Sequence, residues 1–322
     1  ILIWFLFYYA LIIIVELTLG SFGALTPLNI TVCHVAIFSA SFLFKAWRNN
    51  PIPKLSGTGF VFQNKILLFS VCIFLGFFTA KLMVNLVNPP KGVDSLIYHL
   101  TYPVSWLKNS NLYNPMIIFG TGITQAATNC IPYYPVNGEL LFFWFLFPLK
   151  NAFLANMAQA PFYLVGMASI YSILRKFSVD KTRALFMAIL WVLIPNVLKQ
   201  LSMGAYVDII CAAMFFLLFN LLLILIDEFT IKNAALLGIS LGIFIGVKTL
   251  NMYWCVTLMP LAAYIFINNF KYRKLADFVC IPVAISLGLI LLGGYAYIRN
   301  YIFTSNMFYP VEIKIFGKII MP

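Results

Sequence analysis

Residues 208–227 read DIICAAMFFLLFNLLLILID, and this stretch decides the fold class of the chain. An aspartate stands at each end, and the 18 residues between the two carry no charge. An α-helix crosses the hydrocarbon core of a bilayer with about 20 predominantly apolar residues. The stretch therefore predicts a transmembrane helix, with Asp208 and Asp227 near opposite membrane edges.

The composition extends this prediction to the whole chain. Of 322 residues, 63% are hydrophobic and only 9% are charged, and the mean hydropathy is +0.97. Soluble domains carry roughly 25% charged residues. The alternation of an outer-membrane barrel is absent, so the chain is expected to be an all-α polytopic membrane protein. Apolar runs predict about nine spans, at 2–23, 30–47, 65–88, 152–174, 183–201, 208–227, 233–250, 252–268 and 277–298.

Basic residues predict the orientation of these spans. The net charge is +12, and the lysines and arginines collect in the short connections 45–65, 175–183 and 271–274, together with Lys232. Cytoplasmic loops are enriched in Lys and Arg, so these connections are expected in the cytoplasm, touching lipid headgroups. Nucleic acid is not expected as a partner. The six cysteines show neither a disulfide framework nor a CxxC metal spacing.

The orientation places region 89–151 on the outer side of the membrane. The outward residues then include four of the nine acids, namely Asp94, Glu139, Asp208 and Glu312. Within this region, SLIYHLTYPVSWL and NGELLFFWFLFPLK predict two helices that are too short to span, and we expect both at the bilayer interface. A Gly-, Thr- and Pro-rich loop joins them. The two helices are expected to roof a cavity at the outer surface.

The order of these motifs resembles the GT-C superfamily of glycosyltransferases. An outward aspartate in DSLIYHL is followed by two short helices, a second outward aspartate in GAYVDIICAAMFF, and later IGVKTL and RNYIFTSNMFYP. The resemblance covers roughly 65–310 and is closest to the bacterial branch related to protein O-mannosyltransferases and to the aminoarabinose transferase of lipid A. Ser95 follows Asp94 where many relatives have a second acid, and residues 1–64 precede the usual first helix.

The resemblance implies an inverting transfer of a sugar from a polyprenyl-phosphate carrier to a glycan, lipid or protein acceptor. It implies a GT-C-like bundle in a bacterial inner membrane with the site facing the periplasm. Residues 1–64 would form two extra helices and a cytoplasmic loop, residues 65–310 the catalytic module, and residues 311–322 the start of a truncated region. The chain begins at Ile1 and ends at GKIIMP, so a fragment of a longer protein is expected.

Asp94 is the candidate catalytic base, since the acceptor must lose a proton. Asp208 is the second acid, which either binds a divalent metal jointly with Asp94 or orients the donor or acceptor. Both aspartates also suit helix N-caps, which is the structural alternative. Inversion at the anomeric carbon needs one carboxylate in line rather than the close pair of a retaining hydrolase.

The candidate phosphate ligands are Arg299 and Lys248, with Lys81 as a weaker third. Arginine holds phosphate bidentately and lysine acts as a point charge. The alternative for each is a long side chain that reaches the headgroups.

His99 and Glu139 complete the set of candidate site residues. His99 follows Asp94 by five residues, about 140° round an ideal helix, so the two are not expected to share a face. His99 lines the cavity or binds the metal, and Glu139 binds the acceptor or supports a helix start. Glu16 lies inside a span, where acids are costly, so it is expected to pair with His34 or to contact a second subunit. Trp106, Tyr133 and Tyr134 are candidates for stacking on a sugar.

Two other functions compete with the transferase. A transporter places its ionisable residues near the bilayer midplane and often shows repeated halves, whereas here the outward acids are expected at the outer membrane edge and no repeat is visible. A non-catalytic scaffold, whose partners are the subunits of a membrane complex, fits the missing acid beside Asp94. Loss of function when Asp94 is replaced would distinguish the enzyme from the scaffold, and ion-coupled uptake of a solute would identify the transporter.

Overall fold

The structure is a computed structural model that describes residues 2–43, 63–112, 131–269, 275–309, 311–315 and 318–321. The long elements are helices, namely α1 (Leu2–Ser21), α2 (Pro27–Leu43), α3 (Lys65–Val87), α4 (Thr101–Asn109), α5 (Asn137–Leu146), α6 (Ala152–Ala155), α7 (Ala160–Lys176), α8 (Lys181–Leu193), α9 (Pro195–Gln200), α10 (Asp208–Asp227), α11 (Ile231–Val247), α12 (Asn251–Asn269) and α13 (Leu275–Thr304). A π-helical turn covers Ser95–His99, and a 3₁₀ turn covers Ile131–Tyr133. The prediction of an all-α fold missed two short antiparallel strands, β1 (Ile313–Ile315) and β2 (Lys318–Met321).

Long apolar helices make this an integral membrane protein. Within the described residues, five segments are long and apolar enough to cross a membrane, namely Leu2–Ser21, Lys65–Val87, Ala152–Lys176, Asp208–Asp227 and Ala276–Thr304. Two shorter apolar helices lie at Pro27–Ser41 and Ile231–Val247. Each of the nine predicted segments contains a helix, and the polar KTLN sequence does separate α11 from α12. The count of nine spans stays a prediction.

The centre of the bundle is α10, which packs between α7 and α11. An aspartate stands at each end of α10, and each lies beside different residues. Asp208 begins the helix, whereas Asp227 ends it and pairs with Lys176 at the end of α7. The basic connection between α7 and α8 therefore lies at the end of α10 opposite Asp208. This connection and Asp208 therefore lie at opposite ends of α10, as predicted; most of the connection 45–65 and all of 271–274 lie outside the described residues, and the orientation stays a prediction.

Glycines let α11 and α13 pack backbone to backbone. Gly238 and Gly242 of α11 face Ile285 and Gly288 of α13, so closely that a Cβ atom on Gly238 would lie 2.5 Å from the carbonyl oxygen of Ile285. Small residues at such spacings allow close approach of membrane helices, where dispersion rather than water expulsion drives packing. The contact fixes the position of α11, which ends directly before Lys248.

Three side chains bind the last carbonyl groups of α11. Asn251 Nδ2 donates to Phe244 O, Tyr297 Oη donates to Ile245 O at 3.0 Å, and Asn137 Nδ2 donates to Ile243 O at 3.3 Å. The final carbonyls of a helix have no partners within the helix, and an unsatisfied one is costly in a membrane. These bonds hold the end of α11 against α5, α12 and α13.

Region 89–151 differs in part from its prediction. Residues 113–130, including most of the predicted polar loop, lie outside the described residues. The first short helix forms at Thr101–Asn109, directly after the π-helical turn, and it buries Tyr102 and Trp106 while Val104 is exposed. The second, α5, is buried along nearly its whole length among α1, α4 and α11. Its apolar residues cover every face and most are packed by neighbouring helices, so α5 presents no open apolar face, and its place at the bilayer interface stays a prediction.

The Glu16–His34 pair does not form. Glu16 is 0% exposed, and both of its carboxylate oxygens have no hydrogen-bond partner among the described residues. His34 Nδ1 instead donates to the carbonyl oxygen of Ile30 at 2.9 Å, and its ring packs on Trp144. Because Glu16 is enclosed within the chain, it does not present a subunit contact either. Helix α1 packs against α5 and α11, and Tyr9 Oη donates to Asn137 O at 2.8 Å.

Candidate functional site

A polar cavity of about 380 Å³ lies at the end of the bundle where α10 begins. Its titratable lining comes from three parts of the chain, the π-helical turn, the start of α5 and the end of α11. The lining residues are Asp94, Tyr98, His99, Ile131, Tyr134, Pro135, Glu139, Val207, Val247, Lys248, Thr249 and Leu250. Four of the predicted site residues, Asp94, His99, Glu139 and Lys248, therefore meet here.

The π-helical turn places Asp94 and His99 on one side, contrary to the prediction from an ideal helix. The amide of Leu100 donates to Ser95 O at 2.9 Å, an i→i+5 bond that widens the turn. In a π-helix, residues five apart come closer to the same face than in an α-helix, and such turns recur at functional sites. Asp94 is half-buried and makes no side-chain cap. Among the described residues it has neither a hydrogen bond nor an ion pair, so the N-cap alternative is not what the structure shows.

His99 and Glu139 form a buried pair. His99 Nδ1 lies 2.6 Å from Glu139 Oε1, and the side chains are 3% and 2% exposed. The second oxygen of Glu139 has no partner among the described residues. When Glu139 is ionised it only accepts hydrogen bonds; His99 Nδ1 is then the donor, and its other nitrogen, Nε2, carries no proton in the neutral ring.

Asp208 and Lys248 form the second charged pair. Lys248 Nζ lies 2.9 Å from Asp208 Oδ1, with side chains 38% and 42% exposed. Burial lowers the pKa of Lys248, but the negative charge of Asp208 and their hydrogen bond outweigh it, and the pKa lies above its usual value. Lys248 therefore stays charged at neutral pH. The carboxylate of Asp208 contacts this lysine rather than capping α10, which begins at Asp208 itself.

A largely apolar groove of about 400 Å³ meets the polar cavity at Lys248 and Leu250, which line both. The other groove residues come from α8, α10, α11 and α12 and are Trp191, Asp208, Cys211, Ala212, Phe215, Phe216, Phe244, Asn251 and Trp254. A further apolar cavity of about 350 Å³ lies farther along α10 and α12, between residues such as Leu218, Leu225 and Phe266. From Asp208 to Leu225, α10 rises by about 25 Å.

Buried amides hold the turn that precedes Asp208. Gln159 Nε2 donates to Gly204 O at 3.1 Å, and Gln159 Oε1 accepts from the amide of Ile209 at 3.4 Å. Ser95 Oγ donates to Ala205 O at 3.0 Å, which ties this turn to the π-helical turn. Gly204 has φ of +102° and so occupies a conformation that favours glycine. The two aspartates are thus positioned by one connected network.

Arg299 does not line the polar cavity. Its Nη2 donates to the carbonyl oxygen of Tyr134 at 3.2 Å and to Asn300 Oδ1 at 3.0 Å, and Asn300 Nδ2 donates to Tyr133 O at 2.9 Å. Arg299 therefore braces the backbone behind the cavity wall. This position differs from the one predicted for a phosphate ligand.

Lys81 lies away from the cavity as well. Its Nζ donates to Ser202 Oγ at 3.0 Å, next to the contact of Asn85 with Leu201 O. Of the three predicted phosphate ligands, only Lys248 reaches the place where the polar cavity and the apolar groove meet.

The predicted metal site has an unfavourable donor set. No group of three or more histidine, cysteine, aspartate or glutamate side chains that could hold a metal occurs within the described residues. Asp208 contacts an ammonium group, which already neutralises its charge. A hard divalent cation takes six or more oxygen ligands, and Asp94 with Asp208 supplies few of them. The metal therefore enters no step below.

Sequence reasoning missed Tyr98, which lines the cavity, and Tyr206, which lies beside His99. Tyr98 lines the cavity, and burial together with the charge of Asp94 raises its pKa, so that its hydroxyl stays a donor. The ring of Tyr206 lies 6.2 Å from that of His99. Tyr134 lines the cavity as predicted, whereas Trp106 is 2% exposed and packs inside the protein. No spacing signal distinguishes these tyrosines from the many other aromatic residues of the chain.

Comparison with protein-family models, with curated proteins and with solved structures finds no match to this chain.

Proposed function

We propose that this protein transfers a sugar from a polyprenyl-phosphate carrier to an acceptor, with inversion at the anomeric carbon. The observation that carries the proposal is the junction at Lys248, where an apolar groove meets a polar cavity whose aspartate, Asp94, has no partner among the described residues. A substrate that fits both has a polar head, a long hydrocarbon tail and a negative charge between them. A lipid-linked phosphosugar has these parts in this order.

The residues of the cavity would perform a single displacement. Asp94 removes the proton from the acceptor hydroxyl or amine, and the acceptor atom forms a bond to the anomeric carbon. The bond between that carbon and the phosphate oxygen breaks, and its electron pair leaves with the lipid phosphate. Lys248 stabilises this leaving group by its charge, which is the kind of stabilisation that preorganised cations supply. Asp208 fixes Lys248 at the junction by the 2.9 Å contact.

The apolar groove would hold the hydrocarbon tail. Its walls are mainly phenylalanine, tryptophan and alanine, and the further apolar cavity along α10 and α12 continues in the direction of the opposite membrane face. Burial of apolar surface stabilises by roughly 25 cal/mol per Å² in water. The gain within a bilayer is smaller because lipid is itself apolar. The groove would therefore align the tail more than it adds affinity.

The resemblance to the GT-C superfamily supports the same reaction through Asp94 and Asp208. It also implies that the cavity opens to the periplasm of a bacterial inner membrane, which is part of the proposal. The acceptor remains a glycan, a lipid or a protein. The scaffold and the transporter remain the competing functions, and both predict no sugar transfer.

A substitution that fills the groove tests the proposal. Ala212 lines the groove, so Ala212→Phe should raise the KM for a donor with a long polyprenyl chain and spare a donor with a short chain of two or three isoprene units. Ala80→Phe is the matched control, because Ala80 is exposed on α3. The assay measures transfer or hydrolysis of radiolabelled polyprenyl-phosphate hexoses, pentoses and amino sugars by protein in nanodiscs. Equal KM changes for both chain lengths would contradict the groove assignment, and no turnover from any donor would contradict the transferase.

A further inference from the structure

The buried pair of His99 and Glu139 has no part in the displacement derived above. Its geometry nevertheless fits a proton carrier. Glu139 Oε1 holds Nδ1 of the ring at 2.6 Å, and both side chains are almost fully enclosed. Nε2 has no partner among the described residues, and the ring lines the same cavity as Asp94.

We propose that His99, oriented by Glu139, accepts the proton that Asp94 removes from the acceptor. This inference rests on the proposed transfer reaction. The proton passes from the Asp94 carboxyl to His99 Nε2, directly or through one water molecule, and Asp94 returns to its ionised form. The resulting imidazolium keeps its Nδ1–H bond to the Glu139 carboxylate and gives its extra proton to water when the product leaves. No bond other than those to hydrogen changes in these steps.

The proposal depends on which ring nitrogen of His99 carries the proton when the ring is neutral. A neutral histidine in water mainly carries its proton on Nε2, which would block proton acceptance from the cavity. An ionised Glu139 accepts from Nδ1–H and so leaves Nε2 as the acceptor. A carboxylate that orients an imidazole and stabilises its charged form is a recurring arrangement in proton transfer.

Charged and titratable groups from several elements face the pair. They are, at the π-helical turn, Asp94 and Tyr98; before α5, Tyr134; on α1, Tyr9; before and on α10, Tyr206, Asp208 and Cys211; at the end of α11, Lys248; and on α13, Arg299. Both cations and carboxylates therefore surround the ring of His99.

The chain has only two histidines, which makes a direct test feasible. The experiment records the ¹⁵N spectrum of the full chain labelled on histidine, with His34→Gln used for assignment. We expect neutral His99 to show a protonated Nδ1 and an unprotonated Nε2. Glu139→Gln should shift His99 toward the Nε2–H tautomer. His34 is the internal control, since its Nδ1 bonds to Ile30 O, and Glu139→Gln should leave its signals unchanged.

Kinetics then separate a proton carrier from a structural pair. His99→Gln and Glu139→Gln should lower kcat by about tenfold or more, with KM within about twofold, and should move the acidic limb of the pH–rate profile. His34→Gln should leave kcat, KM and the profile unchanged. A proton found on Nε2 of neutral wild-type His99, or an unchanged pH profile in His99→Gln, would overturn the inference. If wild-type protein transfers no sugar, the proposed function fails and the relay fails with it, whereas the spectrum still decides the tautomer independently.

Discussion

Close packing of α11 on α13 predicts a specific penalty for one added methyl group. In Gly238→Ala, the new Cβ would lie 2.5 Å from the Ile285 carbonyl oxygen and 2.7 Å from its Cα, whereas ordinary contacts begin at 3.4 Å. All the nearest atoms belong to backbone, so no side chain can rotate away. The two helices must separate by about 1 Å, and overpacking of this kind costs roughly 1–3 kcal/mol.

The usual compensation for replacing glycine by alanine is small here. Alanine favours the helical state by about 1 kcal/mol in water. In a membrane the separated helices keep their helical structure before they associate, so both states receive this benefit. We therefore expect a net loss of about 2 kcal/mol. Gly294→Ala on α13 is the matched control, because the nearest atoms to its new Cβ would lie at 3.5 and 3.6 Å. A substitution that meets no close neighbour changes the unfolding free energy by no more than about 0.5 kcal/mol.

The assay is thermal unfolding in one detergent at one scan rate, followed by tryptophan fluorescence. Gly238→Ala should unfold at a temperature several degrees below wild type, and Gly294→Ala should unfold close to wild type. Transfer activity should fall as well in Gly238→Ala, because α11 places Lys248 at the junction. If Gly238→Ala and Gly294→Ala unfold together at the wild-type temperature, the two helices do not approach as closely as described.

Three further predictions follow from the charged residues. In Asp208→Asn, Lys248 stays buried but loses its carboxylate partner, so the pKa of Lys248 should fall below the usual value. The wild-type pair stabilises the fold at pH values below the pKa of unfolded lysine, and this stabilisation is lost as the pH rises further. The unfolding temperature of wild type should therefore exceed that of Asp208→Asn by an amount that shrinks between about pH 7 and pH 11. Glu16→Met should raise the unfolding free energy by about 1–3 kcal/mol, because it removes a buried carboxyl without a partner among the described residues; a lower unfolding temperature would show that Glu16 binds a group outside them. Treatment with EDTA should leave transfer unchanged, because Lys248 supplies positive charge beside Asp208; a loss that Mg²⁺ or Mn²⁺ restores would support the metal instead.

The positions of the helices could be predicted because each depends on a local run of apolar residues. The stretch from Asp208 to Asp227 forms α10 with the bounds expected from its two aspartates. How one helix packs against another depends on tertiary contacts, which the pattern of apolar residues does not show. The burial of α5 was missed, because an apolar run of about a dozen residues reads the same at an interface and in a core.

The candidate site was predictable in its members but not in its pairings. Asp94 and His99 share a cavity only because of a π-helical turn, which a period of 3.6 residues does not reveal. His99 pairs with Glu139, 40 residues away, and such a contact depends on the tertiary packing of α5. The depth and charge of Arg299 predict a phosphate ligand, but its guanidinium donates to the carbonyl oxygen of Tyr134 and to the side chain of Asn300 at the cavity wall.

If Asp94 is the base of a sugar transfer, removal of its charge should stop the reaction and leave the fold intact. Wild type, Asp94→Asn and Asp180→Asn are assayed for transfer and hydrolysis with the same panel of polyprenyl-phosphate sugars. Asp180 is the control, because it caps α8 and lies in the basic connection at the other end of the bundle. We predict that Asp94→Asn loses about 10²- to 10⁴-fold in kcat at an unchanged unfolding temperature, while Asp180→Asn keeps its activity. Equal turnover by Asp94→Asn and wild type would contradict this prediction.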